Sequence, residues 1–274
     1  MAGIGFLTKI LKRHHAQPVA PAAPLATHPQ TEARDIAMRG WFNTDTGEIC
    51  DGFAIGPDDV VADIGCGDGS YAHFSASQGA RIILSDVDQG ALERAAAALR
   101  QLPKPAVFEA RLTDGATLPI ADAVASRVIC TEVLEHVDDP VRVMAELFRI
   151  GRPGALYLLS CPDPNAEAIF RRIAHPSHFE RPNHIRTIGH EEFAGLVESA
   201  GLIIERRLSR GFYALMWWIL FWGCPELSGE MRHPVLDSWT QTWSLLLDQK
   251  NGPLIKRVLD DMLPQSQVII ARKP

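Results

Sequence analysis

This sequence predicts an α/β protein with a doubly wound, mainly parallel sheet, and three observations carry that prediction. From residue 60 onward, short β-branched runs alternate with helix-like runs, the pattern of strands joined by crossover helices. The run Val60-Val61-Ala62-Asp63-Ile64-Gly65-Cys66-Gly67-Asp68-Gly69-Ser70 reads as a buried strand, a glycine turn and a helix N-terminus. There the backbone can come close to a nucleotide-like ligand. The chain has 274 residues, 46% hydrophobic and 22% charged, enough to bury one full core with extensions.

Taken in order, strands are expected at 60–64, 81–87, 106–112, 127–131, 155–161, 202–208 and 267–271. Helices are expected over 70–78, after the glycine turn, and over the Ala-rich 89–101, where propensity is strong. The stretch 140–150 has Pro140 at a first helical position and Gly151 behind its last one, and 191–200 closes against Gly201. Residues 211–264 interrupt the alternation and hold Trp217, Trp218, Trp222, Trp239 and Trp243. So long a structureless loop is implausible, which makes this a helical, aromatic-rich insertion before the last strand at 265–274. Its aromatic face is read as ordinary core, as a lid over an acceptor pocket, or as a surface that meets lipid. The core is expected to span 31–210.

Residues 1–30 divide into two pieces. Ile4, Leu7, Ile10 and Leu11 fall on one side of a short helix with Lys9, Lys12 and Arg13 elsewhere. Such a segment lies on an anionic membrane surface or a partner, or simply caps the core. Residues 16–30 are rich in Pro and Ala and read as a linker. The apolar run 212–222 is shorter than the roughly 20 residues a spanning helix needs. Charge and apolar residues in 1–15 stand in the wrong order for a secretory signal. Five cysteines, at 50, 66, 130, 161 and 224, include no C-x-x-C pair and read as reduced thiols. The expected location is cytoplasmic, with any membrane contact peripheral, on the inner face, through 1–13 or 212–222. A net charge of −6 gives no support for a DNA partner.

The ligand can be narrowed further. The turn is G-x-G-x-G, without the usual third glycine of the dinucleotide fingerprint. Asp63 stands inside the strand before it, Asp86 ends the second strand and Asp114 follows the third. Asp86 falls about 20 residues after the turn, where a carboxylate can accept from a ribose diol. Three carboxylates at neighbouring strand ends repel a pyrophosphate. They suit a ribose, an adenine amino group and a cationic amino-acid tail, all of which S-adenosylmethionine has. For Asp63 and Asp86 taken singly, helix capping or a turn is the competing reading.

With these motifs the chain resembles the class I S-adenosylmethionine-dependent methyltransferases, of the type 11 and ubiquinone-pathway O-methyltransferase kind. The matching segments are 61–69, 83–88, 113–118, 128–140 (VICTEVLEHVDDP) and 149–160 (RIGRPGALYLLS). The resemblance implies a Rossmann-like seven-stranded sheet with an antiparallel last strand and helices on both faces. It also implies that Gly65, Cys66 and Gly67 line the methionine portion of the cofactor and that Asp63 reaches its ammonium. Asp86 would hold the ribose with Val87 against adenine, Asp114 and Gly115 would meet the adenine amino group, and Thr131 and Glu132 would close the site.

Thr131-Glu132-Val133-Leu134-Glu135-His136 places two carboxylates and an imidazole at the mouth of that site. Such donors suit Mg²⁺, Mn²⁺ or Zn²⁺. The segment is similar to E-x-x-E-H of the ubiquinone-pathway and small-RNA 2′-O-methyltransferases, which implies a divalent cation on Glu132, Glu135, His136 and the later His184. The alternatives are a base or orienting role for His136, assisted by Glu135, or a structural role. His175, His178, His184 and His190 read as a solvated loop, with a metal or proton-relay site as the alternative. Transfer of a methyl group to a small-molecule acceptor leads, to oxygen ahead of nitrogen or carbon, the acceptor having an apolar or lipid-like part. Competing readings are an RNA methyltransferase, a non-catalytic cofactor-binding scaffold at a membrane, and a nicotinamide-dependent enzyme.

Overall fold

The computed structural model describes residues 28–224 and 233–274; the expected amphipathic segment 1–13 and most of the linker lie outside them. The sheet contains β3 (Val60–Ile64), β4 (Arg81–Asp86), β5 (Phe108–Leu112), β6 (Ala125–Thr131), β7 (Gly151–Pro162), β8 (Ile203–Arg210) and β9 (Ser266–Arg272). Their order is β5-β4-β3-β6-β7-β9-β8. β9 runs antiparallel to both neighbours, whereas β3, β4, β5, β6 and β7 pair in parallel. This is the seven-stranded arrangement the sequence predicts, with strand ends moved by a few residues. A small hairpin, β1 (Glu48–Cys50) with β2 (Phe53–Ala54), stands outside the sheet.

Helices α2 (Ser70–Ser77) and α3 (Gln89–Arg100) follow β3 and β4; α4 (Pro140–Ile150) follows β6, and α5 (Pro164–Ile173) and α6 (His190–Ser199) follow β7. One apolar cluster packs Val143, Met144, Leu147, Phe193 and Val197 against one face of the sheet. The other packs Tyr71, Phe74, Leu92 and Leu99, together with Trp41 and Phe53, against the opposite face. Central strand β3 is buried along nearly all its length, which explains its unbroken apolar run. The chain goes one way across the sheet from β3 to β5 and the other way from β6 onward. The reversal between β3 and β6 opens a crevice at their C-terminal ends, where doubly wound sheets bind ligands.

The insertion between β8 and β9 consists of α7 (Phe212–Trp222), α8 (Pro234–Leu247) and α9 (Gly252–Met262). The preceding α1 (His28–Met38) packs on α7 and α8. The boundary expected at residue 30 therefore falls inside a helix, because Pro29 in a first turn starts a helix as readily as it extends a linker. No residue of α7 is exposed, and Tyr213, Leu215, Trp217 and Phe221 are buried. Those four side chains turn inward, and the other residues of α7 are half-buried. Among the described residues no helix is long and apolar enough to cross a membrane, and all five cysteines are free and buried.

Candidate functional site

The glycine turn is held in place by β4. The Gly65 and Cys66 amides both donate to the Ser85 carbonyl, at 2.8 and 3.2 Å, and the Gly67 amide donates to Asp86 Oδ2 at 2.9 Å. Asp86 Oδ1 accepts from the Asp88 amide at 2.8 Å. Asp86 is therefore a structural clasp between turn and strand as well as a ligand candidate. Each of its oxygens retains a second lone pair for a ribose hydroxyl. Gly65 and Gly67 have φ of +69° and +55°, values that favour glycine.

Asp63 is buried, and its Oδ2 accepts from the Ala72 amide at 3.1 Å, in the first turn of α2. The capping role weighed for it is present, and the same carboxylate lines the crevice. Burial lifts its pKa to about 7; the Ala72 N–H opposes the rise, and Asp86 and Asp68 add to it. Cys66 is buried, which pushes its thiol up and leaves it a neutral wall. Val87 is 60% exposed although apolar, as expected of a platform for a flat ring. Gly115 stands beside it with φ +82°. Asp114 is exposed, and its Oδ1 accepts from the Ala116 and Thr117 amides at 2.9 and 2.8 Å, which holds its pKa down. Thr131 and Glu132 line the far side. Glu132 has φ +55°, and its carboxylate accepts from the Ser160 hydroxyl at 2.7 Å, a strained residue at a functional edge.

The crevice continues into a cavity of about 620 Å³. At their junction Glu135, His136 and His184 bring one donor atom each within 4.8 Å of one another, and Glu167, His178 and His184 do the same. Glu132 belongs to neither group, so the expected four-ligand set is corrected: its carboxylate faces Ser160 instead. His178 and His184 are buried, which also corrects the solvated loop. Their ring centroids are 4.4 Å apart, and His184 meets His136 edge to face at 5.0 Å. His175 and His190 stay outside the cluster, on Ser177 and Asp163.

The donor set has defined tautomers. His136 Nδ1 donates to the Pro182 carbonyl at 3.0 Å, which turns Nε2 toward Glu135 Oε1 at 3.5 Å. His184 Nδ1 donates to Glu167 Oε1 at 2.9 Å. Burial and the neighbouring His184 lower the His136 pKa to about 4. Burial opposes ionisation of Glu167 too, but the hydrogen bond from His184 and the His178 imidazole 3.7 Å away outweigh it and hold the carboxyl at about 2. Glu135 is 1% exposed, and neither of its oxygens has a hydrogen-bond partner among the described residues. Burial, then Glu132, raises it well above the ordinary carboxylate range.

Much of the remaining cavity wall is aromatic: Trp41 and Phe42 near Tyr71, and Phe170, Trp217 and Trp218. His28 stacks on Trp217 at 4.5 Å and is kept neutral by burial, with its pKa at about 4. Sequence reasoning missed Glu167, His28 and Arg210 as residues of this cavity. Glu167 left one signal, a carboxylate in the apolar stripe that Ala166 and Phe170 form on α5.

An α/β crevice with a glycine turn, a carboxylate ending the second strand and a buried acid before the turn is the arrangement expected of an S-adenosylmethionine-dependent methyltransferase domain. Comparison with known proteins agrees. Residues 62–159 match the family model described as "Methyltransferase domain". A protein of Mycolicibacterium smegmatis bearing the name "Probable S-adenosylmethionine-dependent methyltransferase" is 30% identical over 148 residues, 54% of this chain and 53% of that one. The "Ubiquinone biosynthesis O-methyltransferase" of Hahella chejuensis is 32% identical over 118 residues, 43% of this chain and 49% of that one. The chain thus spans about half the length of the curated relatives it matches. Among solved structures, the geranyl diphosphate C-methyltransferase of Streptomyces coelicolor, with Mg²⁺, geranyl diphosphate and S-adenosyl-L-homocysteine, superimposes with a TM-score of 0.59. It covers 98% of this chain and 97% of its own at 15% identity, a likeness of fold.

Proposed function

We propose that the chain transfers the methyl group of S-adenosylmethionine to a hydroxyl oxygen of a small acceptor with an aromatic or apolar part. The observation that carries this reading is the continuity of the site. The cofactor crevice and the Glu135–His136–His184 cluster open into one cavity whose far wall is aromatic. Asp63 faces the ammonium, Asp86 the ribose diol, Val87 the adenine face, and Asp114 and Gly115 its amino group. An acceptor stacked on Trp217 and Trp218 reaches the cluster with its polar end. The sulfonium is already a good leaving group, so alignment supplies most of the rate.

Glu135, His136 and His184 fit a divalent cation. Glu135 is a buried carboxylate with no hydrogen-bond partner among the described residues, and both imidazoles have their Nδ1 protons held by oxygen acceptors. These three residues would hold such a cation, and the chemistry it would supply is a lowered pKa and polarisation of the acceptor hydroxyl. Glu167 holds His184 in one tautomer and orientation, as carboxylates behind metal-binding imidazoles do. Similarity to the Hahella chejuensis protein supports oxygen as the acceptor atom.

Two measurements test the reading. Incubating the chain with S-adenosylmethionine and a panel of phenols, catechols and aromatic amines should yield an O-methylated product; N- or C-methylation alone would overturn the choice of oxygen. Elemental analysis after Mn²⁺ or Zn²⁺ loading should give one ion per chain, with Glu135→Gln weakening uptake by at least roughly tenfold. Absence of uptake by the unaltered chain would remove the cation from the proposal and leave His136 acting alone.

A further inference from the structure

The amino-acid tail of S-adenosylmethionine is a zwitterion. The reading above gives its ammonium a partner in Asp63 and gives its carboxylate none. That carboxylate would enter a crevice already holding Asp63, Asp86 and Glu132, where like charge repels it unless a cation is near.

Five cationic side chains of Lys or Arg type line the cavity: Arg39, Arg94, Arg181, Arg210 and Lys256. Four are committed. Lys256 is held by Asp35 and Asp260, and Arg39 by Asp260 and Asp261. Arg94 stands by Asp88, and Arg181 pairs with Asp138. Among the described residues, Arg210 has no carboxylate at ion-pair distance. Its guanidinium lies over the Trp41 ring, 4.4 Å from the centroid, an arrangement that orients the group without neutralising it. The backbone carrying it is fixed, since the Arg210 carbonyl accepts from the Gln265 amide at 2.9 Å.

Its platform places it at the correct end of the crevice: Trp41 meets Phe42 at 6.4 Å between centroids, and Phe42 packs on Tyr71, beside the glycine turn, at 5.3 Å. Burial works against the charge, but the Tyr71 hydroxyl and Glu132 beside it more than offset that and raise its pKa. Tyr71 precedes Ala72, whose amide binds Asp63. We propose that Arg210 binds the carboxylate of the cofactor's methionine tail, so that Asp63 and Arg210 together match the two charges of the amino-acid zwitterion. Arginine suits the task because its planar fork donates two parallel hydrogen bonds to a carboxylate. The inference rests on reading the crevice as the S-adenosylmethionine site.

The test is calorimetric titration of the full chain with S-adenosyl-L-homocysteine and with S-adenosyl-3-thiopropylamine, which lacks only the carboxylate. Arg210→Gln should weaken the first by roughly tenfold or more, the size expected for a charge-assisted pair. The second should change less than about twofold, and Arg210→Lys should lie between. Equal loss for both ligands, or no loss for either, overturns the inference while leaving the cofactor site standing. Failure of the unaltered chain to bind either ligand overturns the site reading itself. Should Arg210→Gln not fold, the unaltered chain still decides: it must prefer the carboxylate-bearing ligand, and Arg210→Lys must shrink that preference.

Discussion

At the scale of the residue, Asp63 shows how one carboxylate serves fold and ligand together. It caps the first turn of α2 through the Ala72 amide, and burial lifts its pKa to about 7. The folded value lies above the unfolded value of about 4. Its contribution to stability is therefore fully present below about pH 4 and is lost as pH rises through about 7. A bound ammonium reverses the preference, because it favours the ionised form. Affinity for S-adenosyl-L-homocysteine should then fall as pH drops from 8 to 6, by up to roughly tenfold per unit below the pKa. Asp63→Asn should flatten that profile in calorimetric titrations, and a flat profile in the unaltered chain would show that Asp63 does not meet the ammonium. The residue type and position were legible in the sequence. Its double duty was not, because the distance from strand end to helix turn is set only once β3 and α2 have packed.

At the scale of the element, the glycine turn separates into positions with different reasons for being glycine. A Cβ at Gly69 would lie 2.7 Å from Ala95 Cβ on α3, at φ +80°; one at Gly67 would meet nothing within 4 Å. Gly69→Ala should accordingly cost about 2–4 kcal/mol of stability, from overpacking plus backbone strain. Gly67→Ala should cost only about 1–2 kcal/mol, the penalty for a left-handed backbone. Its larger effect should be on cofactor affinity, since the new methyl group stands in the crevice. Urea denaturation and ligand titration of the two variants separate these effects, and similar stability losses would refute the distinction. The motif was visible as a motif. What lies against each glycine depends on the crossing of two helices about 25 residues apart, which no local pattern encodes. The aromatic run of α7 was equally conspicuous, yet periodicity could not say which of core, lid or lipid-facing surface it formed.

At the scale of the whole molecule, the insertion closes over the crevice through a buried charge network. Lys256, 2% exposed, lies 2.8 Å from both Asp35 and Asp260. Asp35 also accepts from Trp243 Nε1 at 2.7 Å, and Asp260 from the Phe212 amide at 3.0 Å. Four helices, α1 and α7–α9, are thereby tied together around one ammonium group. Removing it leaves buried Asp35 without a cation and Asp260 with Arg39 alone, so Lys256→Met should destabilise the chain by about 3–5 kcal/mol. Urea unfolding checks this, and a loss under about 1 kcal/mol would mean that the network relaxes into water. In the sequence, Lys256 beside Arg257 reads as an ordinary solvated helix face. Only the fold shows that one of the two points inward.

By itself the sequence determined the sheet, the class of methyl donor and the residues that line the crevice. Those features rest on short-range rules: alternating apolar runs, glycines where the backbone must turn, and acids at strand ends. Tertiary structure alone decided the composition of the histidine–carboxylate cluster, exchanging Glu132 for a shell built on Glu167 and His178. It also decided the inward face of α7 and the approach of Arg210 to Tyr71 and Glu132. These pairings join residues up to about 140 positions apart, and the burial that gives each its chemistry exists only after the layers have closed.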